Sequence, residues 1–411
     1  MARGKHGSGR ELVNREGVNR EAVNTGTQSI RRFRVAGDTA AGDSASARAA
    51  AGIAADRGES ALTVVFASTA YDLATLGAEL AAHGLERVIG ASTGRVIGAN
   101  GFEAGGISGF HLPAGRFATA DTLLEDVAGM GLPELRARVH QVRSELSQGP
   151  GGSFEHRFAL LLVDAEARCE ERLAAVLGME LNGVPVIGGS AGDLYFNPLG
   201  HPPGSTRLLY HGGAKRGAAI LCLVATTSPV AAYCHNHYVP SDKKLVITEA
   251  DPGRRLVREI DGRPALAVYA AACGFRKPPH ESGDFAPFPL MIRIGGHYYA
   301  RGMQRIYADG ALEFACALEP GLVVALAKPG DMIASLDGLF ATMRRQIGAP
   351  ELVIGVDCAA RTAFMERQGL TRGIESRLRD HAVTGFSSLG EQFNTMHANN
   401  SFTCLGIASA S

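Results

Sequence analysis

Leu62-Thr63-Val64-Val65-Phe66, a helix-like stretch, and then Val88-Ile89-Gly90-Ala91-Ser92 form a pattern that this chain repeats. It returns as Phe158-Ala159-Leu160-Leu161-Leu162-Val163 followed by Val186-Ile187-Gly188-Gly189-Ser190. It returns again as Leu352-Val353-Ile354-Gly355-Val356 followed by Val383-Thr384-Gly385-Phe386-Ser387. Each copy reads as an apolar strand, a helix and a second apolar strand ending in Gly-x-Ser. The expected fold class is therefore α/β: two α/β halves with mixed β-sheets built from β-α-β units. Successive small residues at the turns leave backbone N–H groups exposed, which suits anionic groups of a ligand.

At 411 residues the chain exceeds one ordinary domain, and 45 % apolar residues supply a sizeable core. Lys plus Arg and Asp plus Glu are both 41, which argues against nucleic acid or an acidic membrane surface as partner. No apolar run reaches the ~20 residues of a membrane span, and the N-terminus lacks the apolar segment of a signal peptide. The seven cysteines are scattered without CxxC spacing, so reduced thiols and a cytoplasmic location are expected.

Residues 1–30, with the short repeat Val13-Asn14-Arg15-Glu16 and Val18-Asn19-Arg20-Glu21, read as a disordered tail. Residues 31–215 and 216–411 read as an N-terminal and a C-terminal domain. Helices are expected over 44–55, 71–83 with Asp72 as N-cap, 165–177 and 331–347, and over 119–146 with an interruption at Gly131 and Pro133. Strands are expected over 218–224, 245–248 and 402–408. The segment 201–205 reads as a loop.

Two turns spell Gly-x-Ser-x-Gly, at Ser92 and Ser190. A hydrolase nucleophile requires a helix after that turn. Neither continuation here is helical, so a tight turn able to offer a hydroxyl and N–H groups to a ligand is the better reading. His235 and His237 at i, i+2 would share one face of a strand and are candidate metal or cofactor ligands. Cys358 lies between a strand and a helix, where a helix N-terminus lowers a thiol pKa, although a small buried residue is the commoner fate. The segment 385–403 gathers Glu391, Asn394, His397 and Asn399 into one connection, the first candidate for a binding site.

Tyr71-Asp72, the turn at 90–92, Ile260-Asp261-Gly262 with Pro264 and Tyr269, Cys358-x-x-Arg361, and Gly385-Phe386 with Gly390-Glu391 together resemble the FIST domain. The N-terminal half of that family corresponds to about residues 60–210 and its C-terminal half to about 215–408. The resemblance implies a non-enzymatic sensory module that binds a small ligand, with amino acids as one proposed class. Val246–Asp251, Ile292–Tyr299 and the run from Gly390 to Thr403 look more like the stand-alone bacterial FIST proteins that bind haem and sense nitric oxide. That likeness implies a b-type haem, with His237, His235 or His397 as axial ligand, Cys358 as a thiolate alternative and Arg361 at a propionate. Thr362 departs from this pattern, since a further basic residue is expected there. The resemblance also implies a histidine kinase or a cyclic-dinucleotide enzyme as partner in trans. A haem-free metabolite-binding module and a serine hydrolase using Ser92 or Ser190 are the rival readings.

Overall fold

The computed structural model describes residues 29–37, 43–193 and 205–410, with the backbone of 12–13 and 18–20. The three repeats form three mixed sheets. In each, the two strands of the β-α-β unit run parallel: Ser60–Ser68 with Val88–Thr93, His156–Asp164 with Val186–Ala191, and Pro350–Cys358 with Val383–Ser388. A later strand lies antiparallel to the first of each pair: Ile107–Pro113, Ala219–Thr226 and Phe402–Ala408. The strand before each unit pairs in turn with that return strand: Arg31–Val35, Phe117–Leu124 and Val230–His235.

The far side of each sheet is completed by a strand from another repeat. Val96–Gly98, after the first unit, pairs with Val383–Ser388 of the third. Leu208–Tyr210, after the second, pairs with Val88–Thr93 of the first. Glu391–Phe393, after the third, pairs with Val186–Ala191 of the second. The exchange is cyclic, so the three sheets close into a ring with pseudo-threefold order. The repeated serines mark the joints. The backbone N–H groups of Ser92, Ser190 and Ser387 donate to the carbonyls of Arg207, Gly390 and Arg95, each at 2.9 Å.

This closure explains the glycines two residues before the serines. A Cβ on Gly90, Gly188 or Gly385 would strike the carbonyl of Val65, Leu161 or Gly355 on the parallel neighbour. The inner faces of all three sheets share one core, including Phe66, Ile89, Phe158, Ile187, Ile354 and Phe386. Phe66 and Phe386 stack at 4.8 Å. Each outer face is covered by helices with an apolar stripe: Asp43–Ala54 and Leu73–Ala82, Leu132–Gln148 and Glu170–Glu180, and Met332–Ile347 with Ala359–Arg367 and Thr371–Asp380.

Asp72 caps its helix as expected, accepting from Thr75 N, and Asp331 caps helix Met332–Ile347, accepting from Ile333 N and Ala334 N. The expected helix over 119–146 is corrected: Phe117–Leu124 is a strand, and the helix begins only at Leu132. The alternating burial of Phe117–Leu124 and its ladder with Ala219–Thr226 outweigh local helix propensity. The helix expected over 165–177 is a 3-10 turn at Ala165–Ala167 and then a helix at Glu170–Glu180. Most of the N-terminal tail and residues 201–204 lie outside the described residues, although Val18–Arg20 pairs with Arg31–Val35.

An inserted sheet interrupts the third repeat. Between Val230–His235 and helix Met332–Ile347, the chain from Tyr238 to Pro329 forms its own antiparallel sheet around helix Ala265–Cys273. Its core holds Leu245, Ile247, Tyr269, Phe285 and Phe314. No strand ladder joins it to the ring among the described residues.

Candidate functional site

In open α/β sheets, ligands sit in the crevice beyond the carboxyl ends of the parallel strands. The first two repeats fill that position themselves. Asp72 caps the first helix. In the second, Asp164 accepts from Glu166 N and Gly217 N, and Glu170 and Glu171 occupy the first turn of the following helix. The third repeat is different. Helix Ala359–Arg367 has no side-chain cap, and its N-terminal end faces the inserted sheet.

A groove runs between the two. One part encloses about 240 Å³ against Gly302, Ala315, Cys358, Ser388, Leu389 and Asn400. The adjoining part encloses about 520 Å³ against Phe285, Pro289, Met303, Ala360, Ala363 and Phe364. Both figures include space open to solvent. The groove has an apolar wall and few polar groups, the make-up of a small-ligand site.

Unpartnered polar atoms gather where the third repeat's strands end. Asn399 Oδ1, Asn400 Oδ1, Asp357 Oδ1, Ser387 Oγ, Arg361 Nε and Nη2, and both ring nitrogens of His237 are buried without a hydrogen-bond partner. Buried polar groups are nearly always satisfied, so such a set calls for a ligand or bound water. Asn400 is the clearest case. It is 3 % exposed, lines both parts of the groove, and its free carbonyl oxygen stands against Gly302.

Arg361 and Asp357 form a buried ion pair at 2.5 Å, i to i+4 across the strand–helix junction. Burial pushes the Asp357 carboxyl up, against the opposing pull of Arg361. Among the described residues no cation pairs with Glu391. Its carboxyl accepts from Ser388 Oγ (2.7 Å) and from Ser401 Oγ (2.5 Å) and N (3.2 Å). Full burial pushes it up to about 8, so the acid is protonated at neutral pH. Cys358 is also corrected. Its thiol is buried, and desolvation pushes it well above its ordinary value, so the lowered pKa that a helix N-terminus could give does not arise.

The paired histidines do not share a strand face. The strand stops at His235, whose Nε2 meets Ser335 Oγ at 3.0 Å. His237 lies in the following turn, packed on the rings of Tyr238 and Phe364. Burial, with Arg361 nearby, lowers His237 to about 3 and His235 to about 4. His397 is elsewhere, beside Gln392 Oε1 (3.0 Å) and the Ala315 carbonyl (3.3 Å). Asn399 Nδ2 also meets Nε2 at 3.4 Å, so a neutral ring that donates from Nδ1 to Gln392 accepts from Asn399. Among the described residues, no three His, Cys, Asp or Glu side chains converge as a metal site. Between pH 3 and 6.5 the unfolded chain protonates residue 237 and the folded chain does not, so stability falls as pH drops through that window. His237→Phe is expected to retain on the order of 3 kcal/mol that the wild type loses by pH 3, read from urea midpoints at pH 7 and pH 3.5.

The remaining candidates have structural roles. Ser92 Oγ donates to the Arg207 carbonyl and accepts from Arg207 N. Ser190 Oγ donates to Glu170 and accepts from Gln392 Nε2. Neither hydroxyl has an imidazole on it among the described residues, and the turn at Ser92 leads into strand Val96–Gly98 rather than a helix. Asn394 Oδ1 accepts from Val186 N at a strand joint. The segment 385–403 is a buried hairpin, Glu391–Phe393 with Met396–Ala398, because it supplies the strand lent to the second repeat. Sequence reading missed Asn400, Ser388 and the groove wall at Gly302, Met303 and Phe364. Asn400 stood inside the segment singled out, but nothing in its spacing set it apart from Asn399.

The ring of three mixed sheets, with a groove under an inserted sheet, defines an α/β module. The family model of the FIST N domain matches residues 61–263, and that of the FIST C domain matches residues 265–394. The chain belongs to the FIST family, whose domains are small-ligand sensory domains of signal transduction. No curated protein matches it. No helix among the described residues is long and apolar enough to cross a membrane.

Proposed function

We propose that the protein is a non-enzymatic sensor that binds a small zwitterionic metabolite, such as an amino acid, in the groove beside helix Ala359–Arg367 and regulates a signalling partner in trans. The observation that carries this reading is Asn400, a buried amide that lines the groove and whose oxygen has no hydrogen-bond partner. The Asn400 carbonyl accepts from an ammonium. The uncapped N–H groups at the start of the helix favour a carboxylate. Phe285, Met303 and Phe364 offer an apolar wall for a side chain. A histidine kinase or a cyclic-dinucleotide enzyme is the partner class in keeping with the family. The test is a thermal-shift panel of free amino acids at millimolar concentration. A saturable rise in Tm for a subset supports the reading. No rise with any of them removes amino acids as the ligand.

A second reading, a b-type haem serving as nitric oxide sensor, is favoured by His237. Its ring is neutral and both nitrogens are free, as an axial imidazole requires. His237 would hold the iron, the aromatic wall at Phe364 would flank the macrocycle, and Arg367 at the groove's rim would meet a propionate. The haem would supply the iron at which nitric oxide binds. Phe364 packs on His237, so this reading requires that side chain to move. Haem reconstitution followed by absorbance spectra in the ferric, ferrous and ferrous–nitric oxide states tests it. A sharp Soret band that is altered in His237→Ala supports haem, and a broad band like that of free haem sinks it.

A further inference from the structure

We propose that the inserted sheet, residues 238–329, is a hinged cover over the groove, held shut by a buried latch at Arg255. The attachment is narrow. The chain enters the insert at Tyr238 and leaves it at Pro329, and these two residues are paired with each other. Gly330 N donates to the His237 carbonyl at 2.8 Å, so entry and exit strands run side by side as one neck. A Cβ on Gly330 would press on that carbonyl. Two adjacent strands that carry a whole sheet, with no ladder to the rest of the molecule, are the geometry of a hinge.

The latch lies on the second repeat. Arg255 is buried, sits at φ 57° and directs Nη2 to Glu170 (2.6 Å) and Glu171 (2.7 Å). Glu171 also accepts from Ala317 N of the insert at 2.8 Å, and Arg168 pairs with Glu313. Glu170 continues inward. It accepts from Ser190 Oγ, which accepts from Gln392, whose amide oxygen meets His397. His397 reaches the carbonyl of Ala315, and Ala315 N donates to Gly302 O. Ala315 and Gly302 are both groove walls. The same hydrogen-bonded network therefore seats the cover on the ring and reaches the ligand's surroundings.

A buried ion triad is a poor source of net stability, yet breaking it is strongly unfavourable. That combination suits a two-state contact. While the cover is seated, the charges are paired. When it lifts, they return to water. Ligand in the groove contacts both the cover and the third repeat, so it favours the seated state by its differential affinity.

The inference rests on the groove being the ligand site, but its test uses no ligand. Cys358 lies under the cover in the groove wall, whereas Cys222 is buried in the core shared by the three sheets. Alkylation by N-ethylmaleimide, read at each cysteine by peptide mass spectrometry, reports lifting at Cys358 and global unfolding at Cys222. In Arg255→Met, and in the milder Glu171→Gln, modification of Cys358 is expected to rise about tenfold or more while Cys222 stays protected. An unchanged Cys358 rate, or parallel acceleration at both cysteines, overturns the latch. A positive labelling result beside a failed ligand panel would leave the cover standing and remove only the metabolite reading.

Discussion

Arg361→Ala is expected to lower the unfolding free energy by about 3–5 kcal/mol, because it leaves a buried carboxylate without its cation. Arg361 is 1 % exposed and bonds Asp357 at 2.5 Å, and its guanidinium lies over the Phe402 ring at 5.7 Å. Asp357 is fully buried, and desolvation already raises its pKa, so losing Arg361 drives it to take up a proton. The pair is incompletely satisfied, since Arg361 Nε and Nη2 and Asp357 Oδ1 have no partners. The double variant Arg361→Met, Asp357→Leu is therefore expected to recover most of the loss, to within about 1–2 kcal/mol of the wild type. Urea midpoints of the three proteins check both statements. A single-variant loss below about 1 kcal/mol would place the ion pair in effective contact with water.

The second large effect is at Glu391 and depends on pH. Its pKa is about 8 in the folded protein, against 4.5 ordinarily. Between those values the folded carboxyl keeps its proton while the unfolded one has lost it. The folded state then binds more protons, so stability contributed by the neutral acid is full below pH 4.5 and is lost as pH rises through 8. Gln keeps the shape and polarity and removes the titration. Glu391→Gln is expected to match the wild type near pH 4 and to exceed it by on the order of 4 kcal/mol at pH 8. The difference between their urea midpoints across that range is the measurement. A difference that does not vary with pH would mean that Glu391 is ionised in the fold, with water or a cation beside it.

Much of the ring was legible because its units are local. Each Gly-x-Ser sits two or three residues after an apolar strand core, and each β-α-β unit closes within a short span of chain. The helix at Leu73–Ala82 announced itself through Asp72. The cyclic exchange was not legible, because it pairs Ile97 with Gly385 and Gly188 with Gln392. No local pattern encodes a partner some 200–300 residues away. The same limit hid the edge strand Phe117–Leu124, whose ladder with Ala219–Thr226 decides it.

The candidate site was partly legible. Cys358, Arg361 and Glu391 were singled out by type and place, and they do gather at the end of the third repeat. Their chemistry was not readable, since it depends on burial. A thiol that a helix N-terminus could have lowered is instead raised by burial, and a carboxylate expected to meet a ligand is a protonated acid tied to two serines. His397 and His237 look alike in sequence, but one has both ring nitrogens in contact and the other neither. Arg255 and Glu170 gave no signal at all, being 85 residues apart.

The most direct test of the groove compares wild type with Ala363→Trp. Ala363 lines the groove from a half-buried position on helix Ala359–Arg367, so an indole there fills ligand space without entering the core. Isothermal titration with the metabolite that gives the largest thermal shift is the measurement. Binding near one molecule per chain in the wild type, weakened at least ~100-fold in a variant of unchanged fold, is the predicted result. Equal affinity in the two proteins would contradict it and move the ligand away from the third repeat.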